Sequence, residues 1–339
     1  MNVEKLAQTA QAMVAEGRGI LAIDESSPTI KKRFKQVKLE STEENRRAYR
    51  EMLLSTAGLG EFISGAILFD ETLRQSTSDG VRFVDQMKEA GILPGIKVDK
   101  GAHRLAGHPG EKVTEGLDGL RPRLAEYAEL GAEFAKWRAV ITIGDGTPSS
   151  ACVEANAHAL ARYAALCQEA DLVPIVEPEV LMNGEHDLDT CFEVTEATLR
   201  SVFAALYEQN VLLEGAVLKA SMVISGDRCP NKANLQEVAE GTLQCLYNSV
   251  PAAMAGVVFL SGGQTEVDAT RHLNAMNQIG PHPWPLSFSY GRALQHSALK
   301  KWGENPADNV QEAQEILLRR ARCNGQAAMG QYEAAMESA

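Results

Sequence analysis

The chain of 339 residues has no net positive charge, no long apolar run and few cysteines. Its formal net charge of −12 argues against nonspecific binding to nucleic acid or anionic membranes, because both depend on a basic surface that releases counterions. No apolar run approaches the length needed to cross a membrane. The six cysteines form no CxxC pair, which is typical of reduced thiols in a cytoplasmic protein.

The sequence also has no long stretch rich in Pro, Gly and Ser and no block of like charges that would separate two halves. The first residues, MNVEKLAQTAQAMVAEG, read as an amphipathic helix and resemble neither a secretory signal nor a transit peptide. We therefore expect residues 1–339 to form a single domain with an N-terminal helix and a short C-terminal tail.

Short runs rich in Val, Ile, Leu and Phe recur between longer segments of helical period, which is typical of βα units around a parallel sheet. About eight such runs predict a closed (β/α)8 TIM barrel of the α/β class. An open doubly wound sheet is the alternative, but no GxGxxG loop follows the first strand. The predicted strands span residues 19–23, 65–69, 92–98, 134–143, 172–179, 211–219, 256–260 and 284–290.

Three residue pairs predict helix ends. Capping and stop signals indicate two helix starts and one helix stop, at Ser41 with Glu44, at Thr147 with Pro148, and at Asn324 with Gly325.

Charged residues follow the predicted strands, and in a barrel the active site lies at the carboxyl ends of the strands. These residues are Asp24, Glu25, Lys97, Asp99, Glu177, Glu179, Lys219 and Arg292. Lys136 and Arg138 share one face of strand four because side chains alternate with period two. Lys136 lies early in that run, so either the strand ends soon after Ala139 or Lys136 projects into the barrel from below the rim.

Lys219 ends the apolar run LLEGAVLKAS and is the candidate nucleophile. Desolvation or a nearby cation would lower its pKa and free the amine that attacks a carbonyl. The alternative is a strand-end lysine whose ammonium group reaches water. Lys136 could be the nearby cation, and Glu177 the acid and base, with a pKa that burial raises toward the working pH. A purely structural network of ion pairs explains Glu177 and Glu179 equally well.

Two loops are candidate phosphate sites. Ser261 and Gly262 follow strand seven, and Ser289, Gly291 and Arg292 follow strand eight, each before a helix whose first amides are unpaired. A tight βα connection is the alternative for the Gly-Gly turn alone.

Metal chemistry has little support, because the seven histidines include no HExxH motif. His186 is the best candidate ligand, and we interpret it as a capping or hydrogen-bonding residue of its loop.

Seven motifs resemble those of the class I (Schiff-base) fructose-1,6-bisphosphate aldolases, in family order and spacing. They are GILAIDES, GIKVDKG, FAKWR, IVEPE, LEGAVLK, FLSGGQ and FSYGRALQ, beginning at Gly19, Gly95, Phe134, Ile175, Leu213, Phe259 and Phe288. The resemblance implies that Lys219 forms a Schiff base with the C2 ketone of fructose 1,6-bisphosphate. It implies that Glu177 is the principal acid and base, supported by Glu179, and that Asp24 handles the C4 hydroxyl.

The resemblance further implies that Lys136 and Arg138 are the neighbouring cations. It assigns one phosphate to Ser261, Gly262, Gly291 and Arg292, with Ser289 in the same loop. It assigns the other phosphate to Ser26, Thr29, Lys32, Arg33 and Lys97. The family further implies that no metal or organic cofactor is required. A homotetramer and sedoheptulose bisphosphate as a second substrate are further expectations from the family.

Three departures from the family pattern are visible. Ser27, Pro28 and Thr29 replace a Gly-Ser loop and should stiffen it, and Ala220 replaces a common proline. The tail ends in AAMESA, without the extension whose terminal tyrosine serves C3 proton transfer in animal enzymes. We predict that Tyr332 does not substitute for it. A metal-dependent barrel lyase or isomerase and a non-catalytic scaffold are the competing hypotheses.

Overall fold

A computed structural model describes residues 1–338 and contains a closed barrel of eight parallel strands. The barrel order is β1, β10, β9, β8, β7, β6, β3, β2, which confirms the predicted (β/α)8 fold. The strands are β1 Gly19–Ile23, β2 Ile63–Leu68, β3 Leu93–Lys97, β4 Ala102–Arg104, β5 Lys112–Thr114, β6 Phe134–Ile141, β7 Val173–Val180, β8 Val217–Ala220, β9 Val257–Phe259 and β10 Leu286–Tyr290.

Helices surround the barrel and follow its strands. They are α1 Val3–Met13, α2 Ser27–Gln36, α3 Glu43–Leu54, α4 Asp70–Arg74, α5 Phe83–Glu89, α6 Leu120–Glu129, α7 Ser150–Glu169, α8 Leu188–Glu208, α9 Leu235–Ser249, α10 Glu266–Ile279, α11 Arg292–Glu304 and α12 Val310–Ala328. Within residues 1–338, no helix combines the length and apolar character that crossing a membrane requires.

The barrel interior is apolar at its amino end and ionic at its carboxyl end. Phe134 belongs to an interior cluster with Ile20, Ile175 and Val217. Because strand side chains alternate with period two, the residues two positions further along several strands point into the same interior one layer higher. In this way Lys136 on β6 follows Phe134. The fold therefore brings charged strand-end side chains together above an apolar floor.

Helix α1 closes the amino end of the barrel. Its buried residues Leu6, Ala10 and Met13 belong to the same interior cluster as Phe134. The amphipathic N-terminal segment thus covers apolar surface that would otherwise be exposed at the floor.

The sixth barrel strand is shorter than predicted. The run 211–219 is a strand only over Val217–Ala220, because Leu213–Gly215 forms a 3-10 turn. The Gln168 side chain donates hydrogen bonds to the carbonyls of Leu212 and Gly215, and a Cβ on Gly215 would lie 2.9 Å from Leu6. Contacts with α1 and α7 therefore favour a turn at Leu213–Gly215 over the extended strand that the sequence predicts. A two-stranded hairpin of β4 and β5 was not predicted.

Both predicted helix starts are displaced by one or two residues. Thr42, not Ser41, caps α3, and its side chain accepts a hydrogen bond from the Asn45 amide. Ser149, not Thr147, caps α7 by accepting from the Cys152 amide. Ser and Thr residues near a helix start can all act as caps, so the sequence could not show which of Ser41 and Thr42, or of Thr147 and Ser149, would do so.

The predicted helix stop at Asn324 and Gly325 is wrong, because α12 continues to Ala328. The Asn324 side chain accepts from Thr270 and donates to the Arg320 carbonyl within the helix. A Cβ on Gly325 would lie 2.5 Å from the Gly17 carbonyl oxygen. The glycine here permits close packing of a helix rather than ending it.

Candidate active site

Four charged side chains form a chain of contacts at the carboxyl end of the barrel. The Lys136 Nζ lies 2.7 Å from Asp24 Oδ2 and 3.3 Å from Glu177 Oε2, and the Lys219 Nζ lies 3.1 Å from Glu177 Oε1. Lys136, Glu177 and Lys219 are each no more than 4% exposed. Strand β6 ends at Ile141, two residues after Ala139, and Lys136 points into the barrel, where it meets Asp24 and Glu177.

The two lysines of this cluster keep its two carboxyl groups ionised. Burial raises the pKa of Asp24, but Lys136 and Lys219 outweigh that effect and hold it well below its usual range. Burial likewise raises the pKa of Glu177, but Lys136, Lys219 and Arg138 lower it below its ordinary value. The expectation that burial brings the pKa of Glu177 toward the working pH is therefore wrong. Burial lowers the pKa of Lys136, but Asp24 and Glu177 raise it well above its usual range.

A second layer of ion pairs borders these four groups. The Arg138 Nε donates to Glu179 Oε2, and the Lys97 Nζ lies 2.6 Å from Asp99 Oδ1. The Asp99 carboxylate also accepts from the amides of Gly101 and Arg138. These contacts orient Lys97 and Arg138, whose long side chains would otherwise sample many rotamers.

The two loops after β9 and β10 lie at the same end of the barrel. Gly262 has φ +56°, a left-handed conformation that favours glycine. Gly291 is the N-cap of α11 and has no side chain to satisfy the first amides of that helix. The Ser289 hydroxyl is buried and has no hydrogen-bond partner among the described residues. Unpaired donors at this point favour an anionic ligand.

Helix α2 presents a second set of polar groups. Its N-cap Ser26 makes no capping hydrogen bond, and the Ser26 and Thr29 hydroxyl oxygens are 3.1 Å apart. Lys32 and Arg33 follow one turn later. The Pro28 predicted to stiffen this loop lies in the first turn of the helix, where proline is well tolerated.

All the residues to which the sequence gave a role in catalysis or phosphate binding line one cavity of about 420 Å³, whereas the strand-end residue Asp99 is not part of its lining. They are Asp24, Ser26, Thr29, Lys32, Arg33, Lys97, Lys136, Arg138, Glu177, Glu179, Lys219, Ser261, Gly262, Ser289, Gly291 and Arg292. The lining also contains Glu25, which the sequence placed among the charged strand-end residues without giving it a role, and Ala22, Gln36 and Leu260, which the sequence did not single out.

Arg33 lies in a different part of the cavity from the one expected. A Cβ on Gly291 would lie 3.7 Å from Arg33 Nη2, so Arg33 borders the loop after β10. The Arg33 Nη1 donates to Glu25 Oε1, and this ion pair directs it there. The sequence grouped Arg33 with Ser26 and Thr29, whereas the structure brings the Arg33 guanidinium next to the loop after β10.

A family model for the glycolytic fructose-bisphosphate aldolases of class I matches residues 5–339. The chain belongs to the class I fructose-bisphosphate aldolases. The match covers nearly the whole sequence, and it decides between the three hypotheses in favour of the metal-independent aldolase. This aldolase is thus a carbon-carbon lyase that acts through a Schiff base.

Individual relatives agree with this assignment. The chain is 66% identical to the "Probable fructose-bisphosphate aldolase class 1" of Xanthomonas campestris pv. campestris, over 98% of this chain and all of the relative. It is 54% identical to fructose-bisphosphate aldolase 1 of Toxoplasma gondii, over 97% of this chain and 91% of the relative. A solved structure of the Plasmodium falciparum aldolase, in complex with TRAP and a small-molecule inhibitor, has a TM-score of 0.96 and 51% identity. That match covers 98% of this chain and 96% of the other.

Two further residues of the aldolase can now be placed. Asp187 rather than His186 caps α8, so the capping role of His186 is wrong. Its ring nitrogens have no hydrogen-bond partner among the described residues, but its backbone carbonyl accepts from the Gly226 amide at 2.8 Å. Tyr332 lies after α12, and its hydroxyl donates to Glu337 Oε1 at 2.8 Å. It does not line the cavity. No cluster of three or more His, Cys, Asp or Glu side chains suited to a metal ion occurs in residues 1–338.

Proposed function

We propose that Lys219 is the residue that forms the Schiff base when this aldolase cleaves fructose 1,6-bisphosphate to dihydroxyacetone phosphate and glyceraldehyde 3-phosphate. The observation that carries the assignment is the buried Lys219 Nζ, 3.1 Å from a Glu177 carboxylate oxygen. That oxygen is positioned to accept the proton that the ammonium must lose before the amine attacks C2.

The other buried lysine of the cavity, Lys136, is a poor candidate for the nucleophile. It is equally buried, but two carboxylates raise its pKa, so it remains an ammonium and is a poor nucleophile. Its fixed charge instead stabilises negative charge that develops on neighbouring oxygens.

Glu177 serves as the proton carrier in imine formation. It takes the first proton from Lys219 and returns a proton to the departing C2 hydroxyl, so the carbinolamine loses water and becomes an iminium. Because its pKa is lowered, Glu177 is ionised in the resting site and can accept a proton. Once protonated, it is a strong proton donor. Glu179, paired with Arg138, supports it from the same face of β7.

Asp24 accepts the proton of the C4 hydroxyl during cleavage. The C3–C4 bond breaks, its electron pair delocalises into the iminium to give an enamine, and C4 becomes the aldehyde of glyceraldehyde 3-phosphate. Lys136, 2.7 Å from Asp24, holds it as a carboxylate ready to accept that proton. Protonation of the enamine at C3 and addition of water then release dihydroxyacetone phosphate and restore Lys219.

The two phosphates bind at separate parts of the cavity. One is held by residues that border the loops after β9 and β10, namely Ser261, Gly262, Ser289, Gly291, Arg292 and Arg33. The other is held by Ser26, Thr29, Lys32 and Lys97. Seven Lys or Arg side chains line the cavity against four Asp or Glu side chains, which supports an anionic substrate in a chain of net charge −12.

We extend the proposal to the setting of the enzyme. The chain acts as one barrel domain, assembled as a homotetramer in the cytoplasm, and it uses no metal or organic cofactor. Sedoheptulose bisphosphate is a second substrate. The net negative charge supports the absence of nucleic-acid and membrane partners.

Replacing the nucleophile tests this proposal. We expect Lys219→Ala to abolish cleavage while retaining the fold, and Lys301→Ala, which removes a lysine from the surface of α11, to retain full activity. Treatment of the wild type with EDTA should leave activity unchanged. Near wild-type cleavage by Lys219→Ala, or loss of activity on chelation, would contradict the proposal.

A further inference from the structure

Gln295 on α11 is fully buried directly behind the loop after β10. Its Nε2 donates to the Ala22 carbonyl at 2.7 Å and to Glu25 Oε1 at 3.0 Å. Its Oε1 accepts from the Tyr49 hydroxyl at 2.9 Å. Ala22 and Glu25 offer only acceptors here, so the amide nitrogen must face them and the amide oxygen must face Tyr49.

Tyr49 is the far end of this arrangement. It is completely buried in α3 and packs against Phe34 and Trp302 at ring-centroid distances of 5.6 and 5.3 Å. Its hydroxyl donates to Gln295 and has no contact with the cavity. Nothing in the proposed reaction uses Tyr49 or Gln295 directly.

Glu25 connects Gln295 to the cavity. The same carboxylate oxygen, Oε1, accepts from Gln295 and from Arg33 Nη1. The Glu25 backbone carbonyl accepts from Arg50 at 3.0 Å, and the Glu25 side chain is only 4% exposed. The carboxylate is thus held at Oε1, where Gln295 and Arg33 are its donors, while Oε2 is buried without a hydrogen-bond partner among the described residues. Loss of the Gln295 donor would leave Arg33 as the remaining donor to this carboxylate.

The position of Arg33 is unfavourable without a hydrogen-bond partner, because a second arginine lies close to it. Its guanidinium borders Gly291 and is close enough to Arg292 to contribute, after burial, to lowering the pKa of that residue. Two cations at one loop repel each other, and a long arginine side chain would turn toward water unless it is held.

We propose that Tyr49 and Gln295 are positioning residues which act through Glu25 to hold Arg33 at the phosphate site beside Gly291. This inference rests on the proposed role of Arg33 in phosphate binding. A guanidinium fixed in advance loses less rotamer freedom on binding, so the buried network increases phosphate affinity without touching the substrate.

The test measures inhibition by inorganic phosphate, together with KM and kcat for fructose 1,6-bisphosphate. Tyr49→Phe removes one hydroxyl and keeps the aromatic packing, and Gln295→Met removes all three hydrogen bonds of the amide. We expect the inhibition constant and KM to rise about three- to tenfold for Tyr49→Phe, the effect of one buried hydrogen bond. We expect a larger rise for Gln295→Met, and kcat within about twofold for both.

Tyr163→Phe is the matched control. Tyr163 is a fully buried tyrosine on the opposite side of the barrel, and its hydroxyl donates to the Ile175 carbonyl at 3.1 Å. It should lose a similar amount of stability in urea unfolding without a change in phosphate inhibition. A rise in KM for this control equal to that for Tyr49→Phe would show a general packing effect and overturn the inference.

The decisive readout is the combination with Arg33→Gln, which alone should weaken phosphate inhibition about tenfold or more. In that background, Tyr49→Phe and Gln295→Met should have no further effect, because the residue through which they act is gone. An unchanged Tyr49→Phe effect without Arg33 would overturn the positioning role. An Arg33→Gln variant with normal inhibition would refute the proposed phosphate role of Arg33, and the inference would fall with it.

Discussion

Lys136 and Lys219 are both buried lysines in one cavity, yet their neighbours give them different chemistry. Lys136 lies between Asp24 and Glu177, whereas Lys219 has one carboxylate within salt-bridge distance. A cation between two carboxylates offsets the free-energy cost of burying their negative charges, and the two carboxylates in turn keep the cation protonated. Lys136 is therefore a fixed charge, and its removal leaves two buried carboxylates with less compensation.

This reasoning predicts the pH dependence of stability in Lys136→Met. The folded-state pKa values of Asp24 and Glu177 are lowered, so their stabilising contribution is present above their unfolded pKa values near about 4 and is lost as pH falls through the folded values. The pKa of Lys136 is raised, so its own titration changes stability only at alkaline pH.

We expect Lys136→Met to lose about 3–5 kcal/mol of unfolding free energy at pH 7. The loss should shrink toward pH 3, because the two carboxyls lose the cation that lowers their pKa values in the variant and can become protonated there. Urea unfolding of wild type and variant at both pH values measures this difference. A loss that is the same at pH 3 and pH 7 would contradict the account.

Tyr332 provides a second prediction at the residue scale. Its hydroxyl is committed to Glu337 and lies outside the cavity. Tyr332→Phe should therefore leave the rate of enamine protonation unchanged and cost about 1 kcal/mol of unfolding free energy. Exchange of the C3 proton of dihydroxyacetone phosphate with solvent measures that rate directly. Severely slowed exchange would mean that Tyr332 takes part in C3 proton transfer.

At the scale of secondary-structure elements, the barrel floor depends on pairing large and small residues. A Cβ on Gly95 of β3 would overlap the Phe134 ring from the neighbouring β6, and a Cβ on Gly65 would lie 2.9 Å from it. The glycines thus make room for an aromatic ring that fills the interior below the charged layer. The height of Lys136 above this floor depends on the same packing, because Phe134 and Lys136 are two residues apart.

We predict that Gly95→Ala costs about 1–3 kcal/mol of unfolding free energy through overpacking. Adding Phe134→Leu should recover part of that cost, although Phe134→Leu alone should destabilise the protein. Urea unfolding of the two single variants and the double variant measures the coupling. Additive costs in the double variant would show that the two side chains do not compete for space.

Sequence patterns predicted the strands and the cavity because both follow from local rules. Period-two alternation and the rule that barrel sites lie at strand carboxyl ends were enough to place Asp24, Glu177 and Lys219 in one cavity. The hydrogen bonds that link Tyr49, Gln295 and Glu25 behind the cavity could not be predicted from such local rules. Gln295 and Glu25 are 270 residues apart, and Gln295 and Tyr49 are 246 apart, so no local pattern connects them.

At the scale of the whole molecule, the closed barrel collects charge from strands that are far apart in sequence. Asp24 directly follows β1, and Lys136, Glu177 and Lys219 belong to three other strands of the barrel. The apolar floor below them limits access of water from the amino end. The low local dielectric strengthens their mutual interactions. We propose that this arrangement makes Lys219 the nucleophile of the aldolase.

Borohydride reduction of the wild-type enzyme with dihydroxyacetone phosphate tests that claim most directly. Hydride addition converts the iminium to a stable secondary amine, and peptide mass mapping then locates it. The account predicts one substrate-dependent adduct, on Lys219, and none in Lys219→Ala. An adduct on Lys136 or another lysine, or no adduct while cleavage continues, would contradict it.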